Sequence, residues 1–578
     1  MTDELQVRSY GAAMTVTGSC HLVATGSVNV LVDCGAFQGS TALSALNREP
    51  FGFDPQAIDA VILTHAHMDH AARLPLLVRR GYTGPIHALP ATRLLAQHLL
   101  MDGAKLQRED VERDVRRGKV PHEPLFDEDD VHRTLELFAP LRYGTTMQVA
   151  GLAVTPQVAG HIPGSAGFLV QASGTRVVFS GDVGNARKDV LPDPAPCPAA
   201  DLVFIESTYG DRDHRDFDAT IAELAEVLRE AHRRKGKILI PSFALERTQD
   251  VLFHIARLEE AGEITPMPVY VDSPLADRVE DVYQACMDEM SDEVRAIAAT
   301  GKDPFAPARL EYTTSVDASK ALDASHEAAI IIAGSGMMTG GRILHHLRAH
   351  LDDSHTTVMI VGFQPTGGLG RLLVDGVPEV KIMGESVRVK ARVCTIGGLS
   401  AHADRTELLD WTSSASPGAS FRCVHGEPRA LEALRGQLAA RGFAAEIQAS
   451  VCGFPVLGVR RRAASRLAVV LTGRFRVDSA VGRRGSQRAY GPGVRRALPI
   501  PGSVGLVRSG GFAGTRRLLC DASRRRAHAR VEVLALHPGC RRAARDSGRR
   551  AAASRVCDRR RCRHRSGGLG DRGHPTHR

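Results

Sequence analysis

The chain has 578 residues, 43% of them hydrophobic with a single tryptophan, enough for two to four domains of an ordinary globular α/β protein. No apolar run reaches the ~18 to 20 residues of a membrane span, and the acidic start Met1-Thr2-Asp3-Glu4 lacks a signal core, so a cytoplasmic protein with no membrane partner is expected. The formal charge of +9 suggests nucleic acid, yet Val451–Arg578 holds 31 arginines, no lysine and six acidic residues; residues 1–450 carry a net −16, so charge alone makes no nucleic-acid case for the body.

In chain order, the segment through Thr17-Gly18-Ser19-Cys20 and Asn29-Val30-Leu31-Val32-Asp33 reads as paired strands, the second closed by Asp33. A carboxylate there can orient a ligating histidine, since such an imidazole gives its other N–H to an acceptor. The apolar run Ala60–Leu63 reads as a buried strand, and at its carboxyl end, where open α/β sheets bind ligands, comes Thr64-His65-Ala66-His67-Met68-Asp69-His70. His65 and His67 share one side of an extended loop, so they can face one ion while Asp69 and His70 turn to a second. Mixed imidazole and carboxylate ligands suit zinc, with manganese the harder alternative. A helix is expected from Ala71 to Gly81, and another from Ala91 to about Arg117.

One loop supplies too few ligands for two ions. His161 stands alone among small residues and is weak by itself. The strand Arg176–Phe179 runs into Asp182 beside glycines, where a carboxylate can bridge two cations. The strand Asp201–Ile205 ends in Glu206. Acidic residues thus close three separate strands. An amphipathic helix begins at Phe217 and stops at Gly236. Four further strand and helix units start near 237, 269, 329 and 357 and argue a second parallel sheet. Gly334-Ser335-Gly336 could offer backbone N–H groups to a phosphate, a weak signal alone. His402 and His425 close the set. Past Gln448 the lysine-free, arginine-rich sequence reads as DNA translated in the wrong frame, or else as a disordered basic tail.

With Asp33, the His65 to His70 motif, His161 and Asp182 in this order, the chain resembles the metallo-β-lactamase-fold hydrolases. Glu206-Ser207-Thr208-Tyr209-Gly210, Pro241-Ser242-Phe243-Ala244-Leu245-Glu246-Arg247, Val271-Asp272-Ser273-Pro274, Gly334-Ser335-Gly336-Met337-Met338, Ser400-Ala401-His402-Ala403-Asp404 and Val424-His425-Gly426-Glu427 resemble the β-CASP ribonucleases among them, over about residues 8 to 448. The resemblance implies an α/β fold in which a four-layered αββα metallo-β-lactamase domain (1–208, returning at 373–450) is interrupted by a β-CASP domain (209–372), leaving 451–578 as the tail. It implies two zinc ions: one on His65, His67, His161 and Asp182, the other on Asp69, His70, Asp182 and His425. Asp33 then orients a ligand, Glu206 and His402 form an acid and histidine pair, and Ser335, Gly336, Met337 and Ser400 approach substrate phosphates. The activity implied is metal-dependent hydrolysis of RNA phosphodiesters, with an RNA substrate and a second copy of the chain as candidate partners. The alternatives are a hydrolase of DNA or a small ester on the same fold, and an inactive RNA-binding subunit. Ala71-Ala72 and Pro163 depart from the commoner family pattern at positions that bear no ligand.

Overall fold

A computed structural model of the chain describes residues 5–186, 189–364 and 367–451; the expected tail lies outside them from residue 452 on. Six strands form the first sheet, from Gln6–Ser9 through Val28–Val32 and Ala60–Ile62 to Phe138–Pro140. Seven form the second, with Thr175–Phe179 and Leu202–Ile205 at its centre and Ser420–Cys423 and Ala444–Ile447 added from the end of the described chain.

Alternation along the strands makes the layers. Val30, Val32 and Ile62 from the first sheet meet Val154, Phe168, Val177 and Phe179 from the second in one apolar cluster between them. The intervening residues point the other way: Leu31 and Val61 pack on Leu74 and Leu77 of helix Leu74–Arg79, while Val178 and Phe421 pack on Leu408, Leu431 and Leu434 of helices Arg405–Trp411 and Pro428–Ala440. A period of two on both sheets therefore gives the αββα order.

The third sheet is wholly parallel, in the order Leu310–Tyr312, Val269–Asp272, Ile330–Ala333, Ile238–Pro241, Thr357–Ile360, Arg392–Thr395. Its inner strands Ile238–Pro241, Ile330–Ala333 and Thr357–Ile360 are almost wholly apolar and buried because both faces are covered, by helices such as Phe217–Arg234 and Arg247–Glu260 on one side and Ile343–His350 on the other. Arg392–Thr395 pairs with Thr357–Ile360, so this sheet draws on residues beyond the expected boundary at 372. No helix among the described residues is long and apolar enough to cross a membrane.

The helix expected to open at Ala71 begins earlier, at Met68, and breaks before a second helix at Leu74. Asp69 in its first turn favours the start, and Pro75, which has no N–H to give, is tolerated only in the first turn of a new helix. Asp69 and His70 are therefore held by a helical turn rather than a loop.

Candidate metal centre

The groups expected to bind metal converge at the carboxyl ends of strands from both facing sheets. Strand Val28–Val32 delivers Asp33, strand Ala60–Ile62 delivers His65 to His70, Thr175–Phe179 delivers Asp182, Leu202–Ile205 delivers Glu206, and Ser420–Cys423 delivers His425. Asp33 and His425 both hold positive φ, 63° and 50°, which few non-glycine residues adopt, so the strand ends bend sharply to aim these side chains. Gly35 lets the motif in close: a Cβ there would stand 1.6 Å from the carbonyl oxygen of Asp69.

His65 Nε2 lies 3.1 Å from His67 Nδ1, which lies 3.0 Å from His161 Nε2. Asp182 Oδ2 is 3.5 Å from His65 Nε2 and 3.6 Å from His161 Nε2. The far nitrogens settle the tautomers. Thr64 Oγ1 donates to Asp33, so His65 Nδ1–H donates to Thr64 Oγ1 at 3.1 Å; His161 Nδ1–H donates to the Ala401 carbonyl at 3.2 Å. Lone pairs, not protons, then face inward. Burial pushes His65, His67 and His161 below the ordinary imidazole pKa, and neighbouring histidines reinforce the shift, so all three are neutral. Two inward lone pairs, on His65 Nε2 and His161 Nε2, thus flank His67 Nδ1 at 3.1 and 3.0 Å. Ligands ~2.0 to 2.1 Å from zinc stand roughly 3 to 3.4 Å apart in tetrahedral or octahedral arrangement, which these nitrogens fit.

A second group shares Asp182. His70 Nε2 lies 3.4 Å from Asp182 Oδ1 and 3.3 Å from His425 Nε2, while His425 Nε2 is 3.5 Å from Asp69 Oδ2. His425 Nδ1 is also 3.6 Å from Asp182 Oδ1, a buried oxygen with no hydrogen-bond donor. An orphaned carboxylate oxygen among imidazoles is the mark of a cation ligand. Burial raises the pKa of Asp69, but His425 and His70 outweigh it and hold the carboxyl at about 2. His70 donates Nδ1–H to Asp33 Oδ2 at 2.7 Å. Burial lowers its pKa, yet Asp182 and Asp33 outweigh that and raise it well above the usual imidazole value.

The acid and histidine pair sits beside this cluster. His402 Nδ1–H donates to Glu206 Oε1 at 3.1 Å, and Glu206 also accepts from the Val183 and Thr208 amides at 3.0 and 3.1 Å. Glu206 is fully buried, whereas the His402 side chain is 21% exposed. Burial lowers the pKa of His402, but Glu206 and Asp182 more than offset it and lift the imidazole to about 9. His402 Nδ1 is 3.9 Å from Asp182 Oδ2, so the pair adjoins the ligand both ion groups share.

Of the four residues expected near substrate phosphates, Ser400 lies at this cluster, its hydroxyl accepting from the His402 amide at 3.2 Å. Ser335, Gly336 and Met337 follow strand Ile330–Ala333 of the third sheet, and the Ser335 hydroxyl closes its own loop by accepting from the Thr339 amide at 3.1 Å. Sequence reading overlooked Ser19, Thr64 and Thr208. Ser19 Oγ and the Thr64 amide and hydroxyl donate to Asp33 at 2.8 to 2.9 Å, and Thr208 Oγ1 lies 3.2 Å from His425 Nδ1. Thr64 and Thr208 lie beside or near residues already singled out, in Thr64-His65 and Glu206-Ser207-Thr208, which was the signal available; Ser19 had none.

Residues 14–242 match the metallo-beta-lactamase superfamily, 248–373 the Beta-Casp domain, and 386–449 the Zn-dependent metallo-hydrolase RNA specificity domain. Among proteins similar to the chain, Ribonuclease TTHA0252 of Thermus thermophilus is 44% identical over 456 residues, covering 78% of this chain and 100% of that one. Transcription termination factor FttA of Methanocaldococcus jannaschii is 30% identical over 437 residues, covering 73% and 67%. Cleavage and polyadenylation specificity factor subunit 3-I of Arabidopsis thaliana is 28% identical over 447 residues, covering 75% and 61%. The matched domains end at residue 449, so the arginine-rich segment falls beyond them.

Proposed function

The chain belongs to the β-CASP branch of the metallo-β-lactamase superfamily and is a metal-dependent ribonuclease, and from that premise we propose that it hydrolyses RNA phosphodiesters at a two-cation centre whose leaving group is protonated by His402. The observation that carries this reading is the convergence of ring nitrogens of His65, His67 and His161 against Asp182, with Asp69, His70 and His425 on the other side of the same carboxylate. We assign His65, His67, His161 and Asp182 to one ion and Asp69, His70, Asp182 and His425 to the other, zinc being the cation that this imidazole and carboxylate set suits best and manganese the harder alternative.

Bound there, divalent cations acidify a water and offset the negative charge that gathers on the phosphodiester. The chain's own residues do the rest. Ser19 and Thr64 hold Asp33, which holds His70 by its Nδ1–H, so the ligand cannot rotate away. Glu206, fixed by two backbone amides, accepts Nδ1–H of His402 and leaves Nε2 to carry the second proton. The departing 3′ oxygen is a poor leaving group as an alkoxide, and His402 Nε2–H supplies its proton as the P–O bond breaks. Glu206 then keeps the imidazole in place for its next proton. Ser400 supports His402 through its amide.

Incubation of the metal-loaded protein with 5′-labelled, 3′-labelled and circular RNA, each with and without chelator, tests this reading. Chelator-sensitive products are expected, and cutting of the circle marks an endonuclease. Persistent cleavage with no cation bound, or intact RNA at full metal loading, overturns it; the latter outcome favours a structural RNA-binding subunit.

A further inference from the structure

Among the described residues, Phe243 and Phe363 are the exposed aromatic side chains, at 43% and 57%; every other described phenylalanine, tyrosine and tryptophan is buried or half-buried. They are far apart in sequence and close in the fold. Phe243 follows strand Ile238–Pro241 and Phe363 follows Thr357–Ile360, parallel neighbours in the third sheet, while the Ser335 loop follows Ile330–Ala333 on the other side of Phe243's strand. All three loops therefore emerge from the carboxyl edge of one parallel sheet, the edge where such sheets take ligands.

Specific contacts bind the loops together. A Cβ on Gly336 would come within 2.9 Å of the Phe243 ring, so the absence of a side chain there lets the ring lie against the glycine backbone. Gln364 Nε2 donates to the Gly336 carbonyl at 2.8 Å, and Arg247 donates to the Val361 carbonyl at 2.9 Å, tying the segment around Phe363 both to the Ser335 loop and to the helix just after Phe243. Leu245, two residues after Phe243, belongs to the same extended apolar cluster as Ile162, the residue after His161.

Leaving two phenylalanine rings in water costs hydrophobic burial that every other described phenylalanine, tyrosine and tryptophan at least partly gains. Ring faces beside a backbone-rich glycine loop suit an unpaired nucleobase, which stacks on an aromatic plane while its phosphate meets amides. We propose that Phe243 and Phe363 form a stacking shelf for bases of the single-stranded RNA entering the metal centre, making them specificity-determining residues that favour unpaired over duplex RNA. The inference rests on the ribonuclease reading above.

Binding of a labelled 2′-O-methyl single strand that resists hydrolysis, measured by fluorescence anisotropy on the metal-loaded protein, tests the shelf apart from the chemistry. Phe243→Ala and Phe363→Ala should each weaken binding by about 5- to 150-fold. Phe243→Tyr and Phe363→Tyr should restore it, and Phe243→Leu, which keeps apolar bulk without a π face, should not. A strand made abasic at the stacked position should bind wild type and the alanine variant alike. Metal content and melting temperature report whether each variant is folded. Alanine variants that are folded and metal-loaded but bind within about twofold of wild type, or a leucine variant as good as tyrosine, overturn the shelf and leave the rings to a protein partner. Wild type that shows the full ring dependence yet cuts no RNA would leave the shelf standing and defeat the ribonuclease reading instead.

Discussion

Among the described residues, a cluster of histidine and carboxylate in the third sheet and another at the carboxyl ends of the facing sheets are built to opposite ends. In the third sheet, His346 Nε2 lies 2.8 Å from Asp272 Oδ2 and its Nδ1 2.6 Å from Asp323 Oδ1, while Arg342 and Ser319 donate to Asp272 at 2.5 Å each. Both nitrogens of His346 face carboxylate oxygens there, and His350 Nε2 lies 3.2 Å from the same oxygen of Asp323. At the carboxyl ends of the facing sheets, by contrast, imidazole nitrogens face one another at 3.0 to 3.1 Å and Asp182 Oδ1 has no donor. His346 is closed into the first cluster by carboxylates on both sides; the second presents the nitrogens and the carboxylate oxygen that we assign to cations. Composition does not distinguish them, because both are His and Asp. What distinguishes them is where the second nitrogen of each imidazole goes.

Perturbing each cluster should therefore fail in a different way. The largest effect is expected beside the metal centre. His402→Ala should slow cleavage by roughly 10²- to 10⁴-fold with both ions retained, and a substrate with sulfur at the 3′ bridge, which needs little protonation to leave, should be cut by that variant at nearly the wild-type rate. A full loss on the sulfur substrate would move His402 from proton donor to phosphate positioning. Asp33→Asn should come next, with metal affinity down by about 10- to 100-fold in a competitive chelator titration, because His70 loses the acceptor that fixes its ring. Unchanged affinity would mean that the helical turn carrying His70 suffices to orient it.

The third-sheet cluster should respond in stability and not in metal content. His346→Ala removes one partner of a buried pair, which costs about 3 to 5 kcal/mol, and native-state hydrogen exchange at Ile330–Ala333 should show the loss. Its pH dependence has a definite sign. Burial lowers the pKa of His346, but Asp272 and Asp323 outweigh it and lift the imidazole to about 9. Its contribution is thus fully present below the unfolded value of ~6.5 and fades as pH rises through 9. The stability gap between wild type and His346→Ala should narrow from pH 6.5 to 9.5. Asp272 and Asp323 are held below the ordinary carboxylate range, so their contribution fades only as pH falls below ~4. A gap that widens with alkalinity would mean that His346 is neutral in the folded protein.

The same contrast explains what could be read from the sequence. The αββα layers followed from the family resemblance, and the alternation of Val30, Leu31 and Val32 between two apolar clusters shows how the strands build them; the third sheet was legible from apolar runs such as Ile330-Ile331-Ile332 recurring between helical stretches. Asp33, Asp182 and Glu206 announced themselves by closing apolar strands, and His65 to His70 by density. Asp272 likewise closes an apolar strand, Val269–Asp272, but its partners Asp323 and His346 come from two helices and share no spacing with it, so the cluster itself gave no sign. Thr64 and Thr208 were hidden because a hydroxyl beside a ligand is chemically ordinary until the fold shows which acceptor it meets. The strand Arg392–Thr395 joined the third sheet from beyond the expected boundary because pairing partners are set by topology, not by local composition. Phe243 lay in a quoted motif, but its exposure and its contact with Gly336 are revealed only by the folded chain.

The central claim is that Asp182 serves two cations at once, and metal stoichiometry tests it most directly. Elemental analysis of the wild-type protein should give two equivalents of bound divalent metal per chain. Asp182→Ala should lose more metal than His65→Ala or His425→Ala, each of which strips ligands from one ion group alone, while hydrogen exchange at the third sheet stays unchanged. A single tightly bound ion that Asp182→Ala leaves in place would contradict the account.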